Sequence, residues 1–365
     1  YAVLFFTCHL LGPVVGAKIG LALLALLLVA AIHDLARRRG RPPEHATLAG
    51  TLVYSMSLYW GFVGFLLGAA LFLFTLERAL RAPPVGGRRA VAKDVVVLAA
   101  FAAAIYAAHS LWLPFFFAAL VIAPLIERRP IRRELPRLLA FAPVALHALV
   151  WFPRLRAERV GWGFDAGAHW EPLLERLNPS WAASALFGGL RGAVEPGMAV
   201  VLLLWALFCA VPPGRAGRGG VDRVLLGLSG FLAVFVGVAP VKYLNTMLFN
   251  ERFAFVAGVV LLLSLPRPPV RAALSQVVTV VVAVFFAATT CAAWVAFERR
   301  DLSGLEQSLR VEPGPSSVIG LDFIKQNELL RATSFLQVFA WRQAIYGGGA
   351  SFSFAEHQSG IVCMR

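Results

Sequence analysis

The sequence predicts an all-α polytopic membrane protein, with about six full transmembrane helices, two broken helical hairpins and a small αβ extracytoplasmic C-terminal tail. Three observations carry that prediction. Hydrophobic residues make up 59% of the 365-residue chain and charged residues only 15%, with a mean hydropathy of +0.73, outside the balance of soluble globular proteins. Apolar runs recur along the chain, several near the roughly 20 residues a helix needs to cross hydrocarbon. The basic residues behind a net charge of +14 gather between those runs, the pattern of cytoplasmic loops. They carry no nucleic-acid recognition module, and no nucleic-acid partner is expected.

In chain order, residues 3–32 read as a first span, stopped by His33, Asp34, Arg37, Arg38, Arg39 and Arg41. Residues 48–76, LAGTLVYSMSLYWGFVGFLLGAALFLFTL, are apolar but interrupted by Tyr54, Tyr59, Trp60, Gly61 and Gly64. Both flanks of this run are arginine-rich, whereas a helix that crosses once keeps its positive charge mainly on the cytoplasmic side. The run is therefore expected to enter the bilayer, break near residues 59–64 and return. Residues 95–126 repeat the pattern, with His109, Ser110, Trp112 and Pro114 at the centre. Proline disfavours an unbroken helix there, so a second broken hairpin is expected with its tip at 109–114. Each hairpin arm is expected to fall short of a full span. One long tilted helix for each run is the alternative, and it would put one basic loop outside.

Residues 138–152 then cross outward into an outer loop, 153–197, that carries Trp162, Trp170 and Trp181. Residues 198–211, 224–239, 253–265 and 272–297 complete the membrane domain, 1–297, joined by basic turns at 212–223 and 266–271 and a short outer loop at 240–252. Residues 298–365 form the tail. Its helix-like run 328–340 and the Phe352/Phe354 alternation indicate a small αβ cap, one that leans on the membrane body for its core. The five intervals assigned to the cytoplasm hold 19 Lys/Arg against 7 Asp/Glu, and the outer intervals 14 against 13. That asymmetry orients a multi-pass inner-membrane protein with its tail outside.

The polar and aromatic residues that depart from this pattern collect on the outer face. Tyr54, Tyr59 and Trp60 lie at one hairpin tip, and His109 and Trp112 at the other. Lys242, Tyr243, Asn250, Glu251 and Arg252 occupy the short loop, and Glu356 and His357 the tail. The plain reading of the aromatics is an interfacial belt. Broken backbone at membrane depth, however, persists only where it is buried in protein or lines a watery cavity, so Tyr54, Tyr59, Trp60, His109, Trp112, Tyr243 and Glu251 are read as cavity-lining. Arg252 and Lys242, near the free N–H groups that start helix 253–265, make a lipid-phosphate-binding pair. The alternative is that Arg252 snorkels while Glu251 caps the helix. His109 has an equally plain reading as a packing residue. Asp165, Glu171 and Glu175 in the outer loop are candidates for a general base or metal ligand. The catalytic residue and any cofactor stay unassigned, and no metal or disulfide framework is expected from Cys8, Cys209, Cys291 and Cys363. No nucleotide-binding loop is present.

The segments LVYSMSLYWGFVGFLLGAALFLFTLERALR, AAHSLWLPFFFAALVIAPLIERR, YLNTMLFNERFAFVAG and SFSFAEHQSG together resemble bacterial GT-C-like multi-spanning membrane proteins, related in architecture to polyprenyl-phosphate-dependent glycosyltransferases. The likeness covers most of the chain, through loose and mainly apolar motifs. It implies a lipid-linked sugar donor, a reaction at the outer face, and a catalytic acidic residue in the first outer loop. This chain opens at Tyr1 inside a helix that follows that loop in the family pattern, so the N-terminal part with that residue is expected to lie upstream. The resulting expectation is a membrane glycosyltransferase moving a sugar from a polyprenyl-phosphate donor to an extracytoplasmic acceptor. The rival is a non-catalytic membrane subunit scaffolding a larger complex through its aromatic loops and tail. A carrier is disfavoured because Lys18 is the clear charge inside a proposed span, and coupled transport ordinarily needs more.

Overall fold

Gly12 and Pro13 split the first apolar run in two. In the computed structural model, which describes residues 2–85, 87–161, 167–210, 220–244, 246–305, 307, 327–331 and 345–346, helix α1 (Ala2–Leu11) ends at Gly12 with φ 77° and α2 (Pro13–Arg38) starts on the proline. Proline needs no N–H partner in a first turn, and glycine tolerates the left-handed φ that reverses the chain. Helix α1 folds back on α2, so a Cβ on Gly16 would run into the Thr7 carbonyl and the Cys8 backbone. The expected single span 3–32 is thus a helical hairpin whose second arm, 26 residues long, is the spanning one at about 39 Å.

The second run breaks earlier than expected. Helix α3 (Pro43–Gly50) passes through a 3-10 turn at Thr51–Val53 into the short α4 (Met56–Tyr59), and α5 (Val63–Leu80) follows. The third run breaks at its expected tip. Helix α6 (Arg88–Ala108) stops at His109, whose backbone is extended, and a 3-10 turn at Ser110–Trp112 leads into α7 (Leu113–Ile126). Pro114 sits in the first turn of α7 and so starts that helix rather than kinking one. The expectation of short arms does not hold for α5 and α6, which have 18 and 21 residues and are long and apolar enough to cross a bilayer.

Beyond α7 come α8 (Ile131–Leu139) and α9 (Ala142–Gly161), bent by 56° at their junction. Short helices α10 (Leu173–Arg176) and α11 (Pro179–Leu186) precede α12 (Val194–Ala210), α13 (Arg223–Val238), α14 (Ala254–Ser264) and α15 (Ala272–Arg300). Among the described residues, α2, α5, α6 and α15 are spans by length and composition, with the α8–α9 pair a fifth if counted as one. Helices α12, α13 and α14, read from the sequence as full crossings, have only 17, 16 and 11 residues. For α14 the reason is enclosure. Phe255, Val259, Val260 and Leu263 are all buried, and a helix that is apolar all round and wrapped in protein need not match the bilayer.

The chain is an all-α polytopic membrane protein, and α15 shows why in its side chains. Its protein-facing stripe is Ser275, Thr279, Phe286, Thr290 and Phe297, while Val277, Val281, Val284 and Phe285 point outward. Putting hydroxyls inside and valines outside is stable only where the surroundings are themselves apolar. Ser275 Oγ donates to Glu44 Oε1 at 3.1 Å, which anchors α15 to α3.

All the described basic turns meet at one end of the bundle. Arg39 Nη2 reaches Asp222 at 2.6 Å and its Nη1 reaches Glu77 at 3.4 Å, joining the ends of α2, α13 and α5. Arg41 donates to the carbonyls of Leu263, Ser264 and Leu265, where a cation complements the C-terminal dipole of α14. Arg129 donates to the Leu80 and Arg81 carbonyls, and Arg137 bridges Asp94 and Glu134 at 2.9 Å each. Both ends of each broken run therefore lie at this same end. Lys18 sits towards the other end, paired with Glu298 at 2.5 Å.

Candidate functional site

The end opposite the basic turns is organised by the loop between α13 and α14. Strand β1 (Ala168–His169) pairs antiparallel with β2 (Lys242–Tyr243), with His169 opposite Lys242, so this loop is tied to the long 153–197 segment. Asn250 Nδ2 donates to the Val236 carbonyl at 2.9 Å and Phe249 N to the Val241 carbonyl at 2.7 Å. Leu244 and Leu248 are held at φ 48° and 55°, uncommon for residues with a Cβ and maintained by these surrounding bonds. The loop ends in a 3-10 turn, Glu251–Phe253, that delivers two charged side chains just ahead of α14.

Arg252 is 7% exposed, and its guanidinium carbon lies 3.6 Å from the centre of the Phe62 ring. Its Nη2 donates to the Met247 carbonyl at 2.6 Å, whereas Nε is buried without a partner. Among the described residues no carboxylate pairs with it. Burial pulls its pKa down to about 10, so it stays a cation at neutral pH. Trp60 stacks on the same Phe62 ring at 6.1 Å. His109 lies within electrostatic reach of Arg252 and meets Phe65 edge-on at 5.3 Å.

Glu251 faces the other way, towards Glu171 and Arg176. Burial, reinforced by the Glu171 carboxylate and opposed by Arg176, raises its pKa to about 7. Arg176 donates from Nη1 to the Gly237 and Ala239 carbonyls at the C-terminus of α13, and its buried Nε and Nη2 have no partner. Glu171 accepts from Trp181 Nε1 at 3.2 Å, and Glu175 is exposed. Tyr243 meets Phe249 at 5.5 Å beside the strand pair.

The remaining sequence candidates divide into two surroundings. Trp112 is fully buried, with Nε1 donating to the Phe65 carbonyl at 2.8 Å and its ring among Phe65, Phe72 and Phe253. It packs against Phe253, the residue that follows Arg252. Tyr54 and Tyr59 turn instead to α15, where Tyr54 meets Phe286 edge-on at 5.9 Å and Tyr59 stacks on Trp294 at 5.4 Å. The Tyr59 hydroxyl is buried without a hydrogen bond and lies beside Glu195. Asp165, Glu356 and His357 lie outside the described residues.

Glu195 and Arg176 were not singled out by sequence reasoning. Glu195 is 1% exposed, with Oε1 accepting from Gly189 N at 3.0 Å and Leu190 N at 2.8 Å. The available signal was an acidic residue in the first turn of a helix, six residues after Gly188-Gly189, where a carboxylate caps free N–H groups. The same turn receives part of the tail. Leu190 bridges Leu330, Arg191 N donates to the Leu329 carbonyl and Arg331 N to the Gly189 carbonyl. The described residues 327–331 are therefore bridge and bend, not the helix expected from 328, and residues 332–340 and the Phe352/Phe354 segment lie outside the description.

No protein-family model, no characterised protein and no solved structure matches the chain.

Proposed function

We propose that this end of the bundle holds the phosphate of a lipid-linked donor, and that the protein is a GT-C-like membrane glycosyltransferase moving a sugar from polyprenyl phosphate to an extracytoplasmic acceptor. One observation supports the reading above the others: Arg252 is a buried cation without an acidic partner among the described residues. Leaving an ion uncompensated in a low-dielectric site costs several kcal/mol, and in membrane proteins such a residue ordinarily marks a ligand pathway. An anion delivered beside Arg252 would satisfy Nε and neutralise that charge.

Lys242 is the second cation of the same loop, and Trp60, Phe62 and His109 form the apolar and aromatic wall of the phosphate site. Glu195, whose carboxylate is occupied by two backbone N–H groups, anchors the 189–190 turn. No residue is assigned as the base. The positive-inside rule puts the basic end in the cytoplasm, and so the Arg252 end and the tail outside a cell inner membrane.

The test is native mass spectrometry of the protein in nanodiscs titrated with a polyprenyl phosphate. Wild type is expected to retain the lipid, and Arg252→Gln to weaken retention by about tenfold or more, the scale of a charge-assisted contact. Equal retention by the two proteins overturns the reading. So does recovery of the wild type as a stoichiometric partner of other chains with no lipid at this end.

A further inference from the structure

A cleft of about 440 Å³ opens between α2, α5 and α6, at the end of the bundle away from Arg252. Its walls are Leu71 and Phe74 of α5 and Val97, Phe101 and Ala104 of α6. Thr75 is the one uncharged polar residue of the lining, and its hydroxyl donates back to the Leu71 and Phe72 carbonyls of its own helix. The apolar part is therefore free of unsatisfied polar groups. From Leu71 to Arg81 the cleft follows α5 for roughly 15 Å, at 1.5 Å per residue, which is about half the hydrocarbon thickness of a bilayer. That is the depth of one leaflet.

The mouth is basic. Arg38, Arg78 and Arg81 line it together with the single carboxylate Glu77. Each of these arginines leans on a carboxylate that another arginine also uses. Asp34 is shared by Arg38 and Arg37, Asp94 by Arg78 and Arg137, and Glu77 by Arg81 and Arg39. Six guanidinium groups thus share three carboxylates around the mouth, and Arg39 and Arg137 have one further acidic partner each, Asp222 and Glu134. The three arginines that line the cleft are left only partly neutralised, beside a lipid-deep apolar slot.

We propose that this cleft is a binding site for an anionic phospholipid, with one acyl chain against Leu71, Phe74 and Phe101 and the headgroup phosphate held by Arg38, Arg78 and Arg81. Basic pockets between membrane helices select anionic headgroups by this combination of charge and enclosure. The site is separate from the Arg252 site and lies in the opposite leaflet, so it stands whether or not the protein transfers sugars.

The experiment is native mass spectrometry of the full chain released from nanodiscs containing equal phosphatidylglycerol and phosphatidylcholine with the same acyl chains. Wild type is expected to retain phosphatidylglycerol about tenfold over phosphatidylcholine, with each surface-proximal arginine contributing. Arg38→Gln/Arg81→Gln, both at exposed positions, is expected to remove most of that preference. Ala104→Trp, which fills the slot and leaves every charge in place, is expected to reduce retention of both lipids while the protein elutes as wild type on size exclusion. Equal retention of the two lipids by wild type overturns the proposal. Displacement of the lipid by soluble glycerol phosphate at comparable concentration, or an Ala104→Trp variant that retains lipid normally, overturns it too, since either would mean that the slot plays no part.

Discussion

Arg252 stands 3.6 Å over the ring of Phe62, facing the π-face of a neutral side chain where a buried cation ordinarily meets a carboxylate. A cation–π contact of this kind is worth about 0.5–2 kcal/mol, less than the desolvation it accompanies. Arg252→Met, similar in length and apolar, is therefore expected to leave thermal stability in detergent unchanged or raise it, equivalent to about 1–3 kcal/mol, while abolishing polyprenyl-phosphate retention. A variant that loses both stability and binding would make Arg252 a structural residue and remove it from the proposed site.

At the other end, Arg137 shows the opposite arrangement. It is 1% exposed and satisfied from every side, by Asp94, Glu134 and the Arg78 and Arg81 carbonyls at 2.5–2.9 Å. Removing one member of a buried network leaves the others uncompensated, at about 3–5 kcal/mol. Arg137→Ala is expected to lower the melting temperature far more than Arg37→Ala, whose side chain is largely exposed and pairs with Asp34. Equal losses would mean that the α6–α8 junction does not depend on this network.

Glu251 makes stability depend on pH in a definite direction. Its folded pKa, raised to about 7 from 4.5 by burial and by Glu171, means that the folded chain holds a proton the unfolded chain has released between those values. Stability from this group is therefore full below about pH 4.5 and falls as pH rises towards 7, by up to about 3 kcal/mol at 1.36 kcal/mol per unit. The melting temperature of wild type, relative to Glu251→Gln, is expected to decline over pH 5–7 and level off above. A relative curve that rises over that range would place the carboxylate in a charged, paired environment instead.

How much of this was legible in the residues depends on the range of the interaction. The gathering of basic turns was readable because charge placement along the chain is a local record of topology, and the break at His109 because an apolar run there changes to His-Ser-Leu-Trp-Leu-Pro. The fold-back at Gly12 was not, since the run is apolar on both sides of it. Its signal was the Gly-Pro pair followed by Gly16 and Gly20, small residues that let α1 lie close on α2. Arg137 and Asp94 were visible only as charges in separate loops, because partners 43 residues apart leave no spacing to read. Glu195 was counted among the outer-loop charges, and its place in a helix first turn behind Gly188-Gly189 signals a capping carboxylate without signalling that Tyr59 covers it, a long-range contact that leaves no spacing to read.

Gly189 is where the turn after α11 meets Tyr59 of α4. A Cβ there would collide with the Cδ2, Cε2 and Cζ atoms of Tyr59, a rigid ring already stacked on Trp294 at 5.4 Å with its plane within 6°. The ring cannot move towards Trp294, and Gly189 cannot retreat without breaking its N–H bond to Glu195. Gly189→Ala is therefore expected to destabilise the protein by about 1–3 kcal/mol, the range for overpacking a filled site. Tyr59→Leu should relieve the clash, so the double variant is expected to be more stable than Gly189→Ala alone despite losing an aromatic stack. The four melting temperatures of the cycle measure that coupling directly. Strict additivity would show that Tyr59 and Gly189 do not touch, and with them would go the link between the α4 turn, α15 and the docked 327–331 segment.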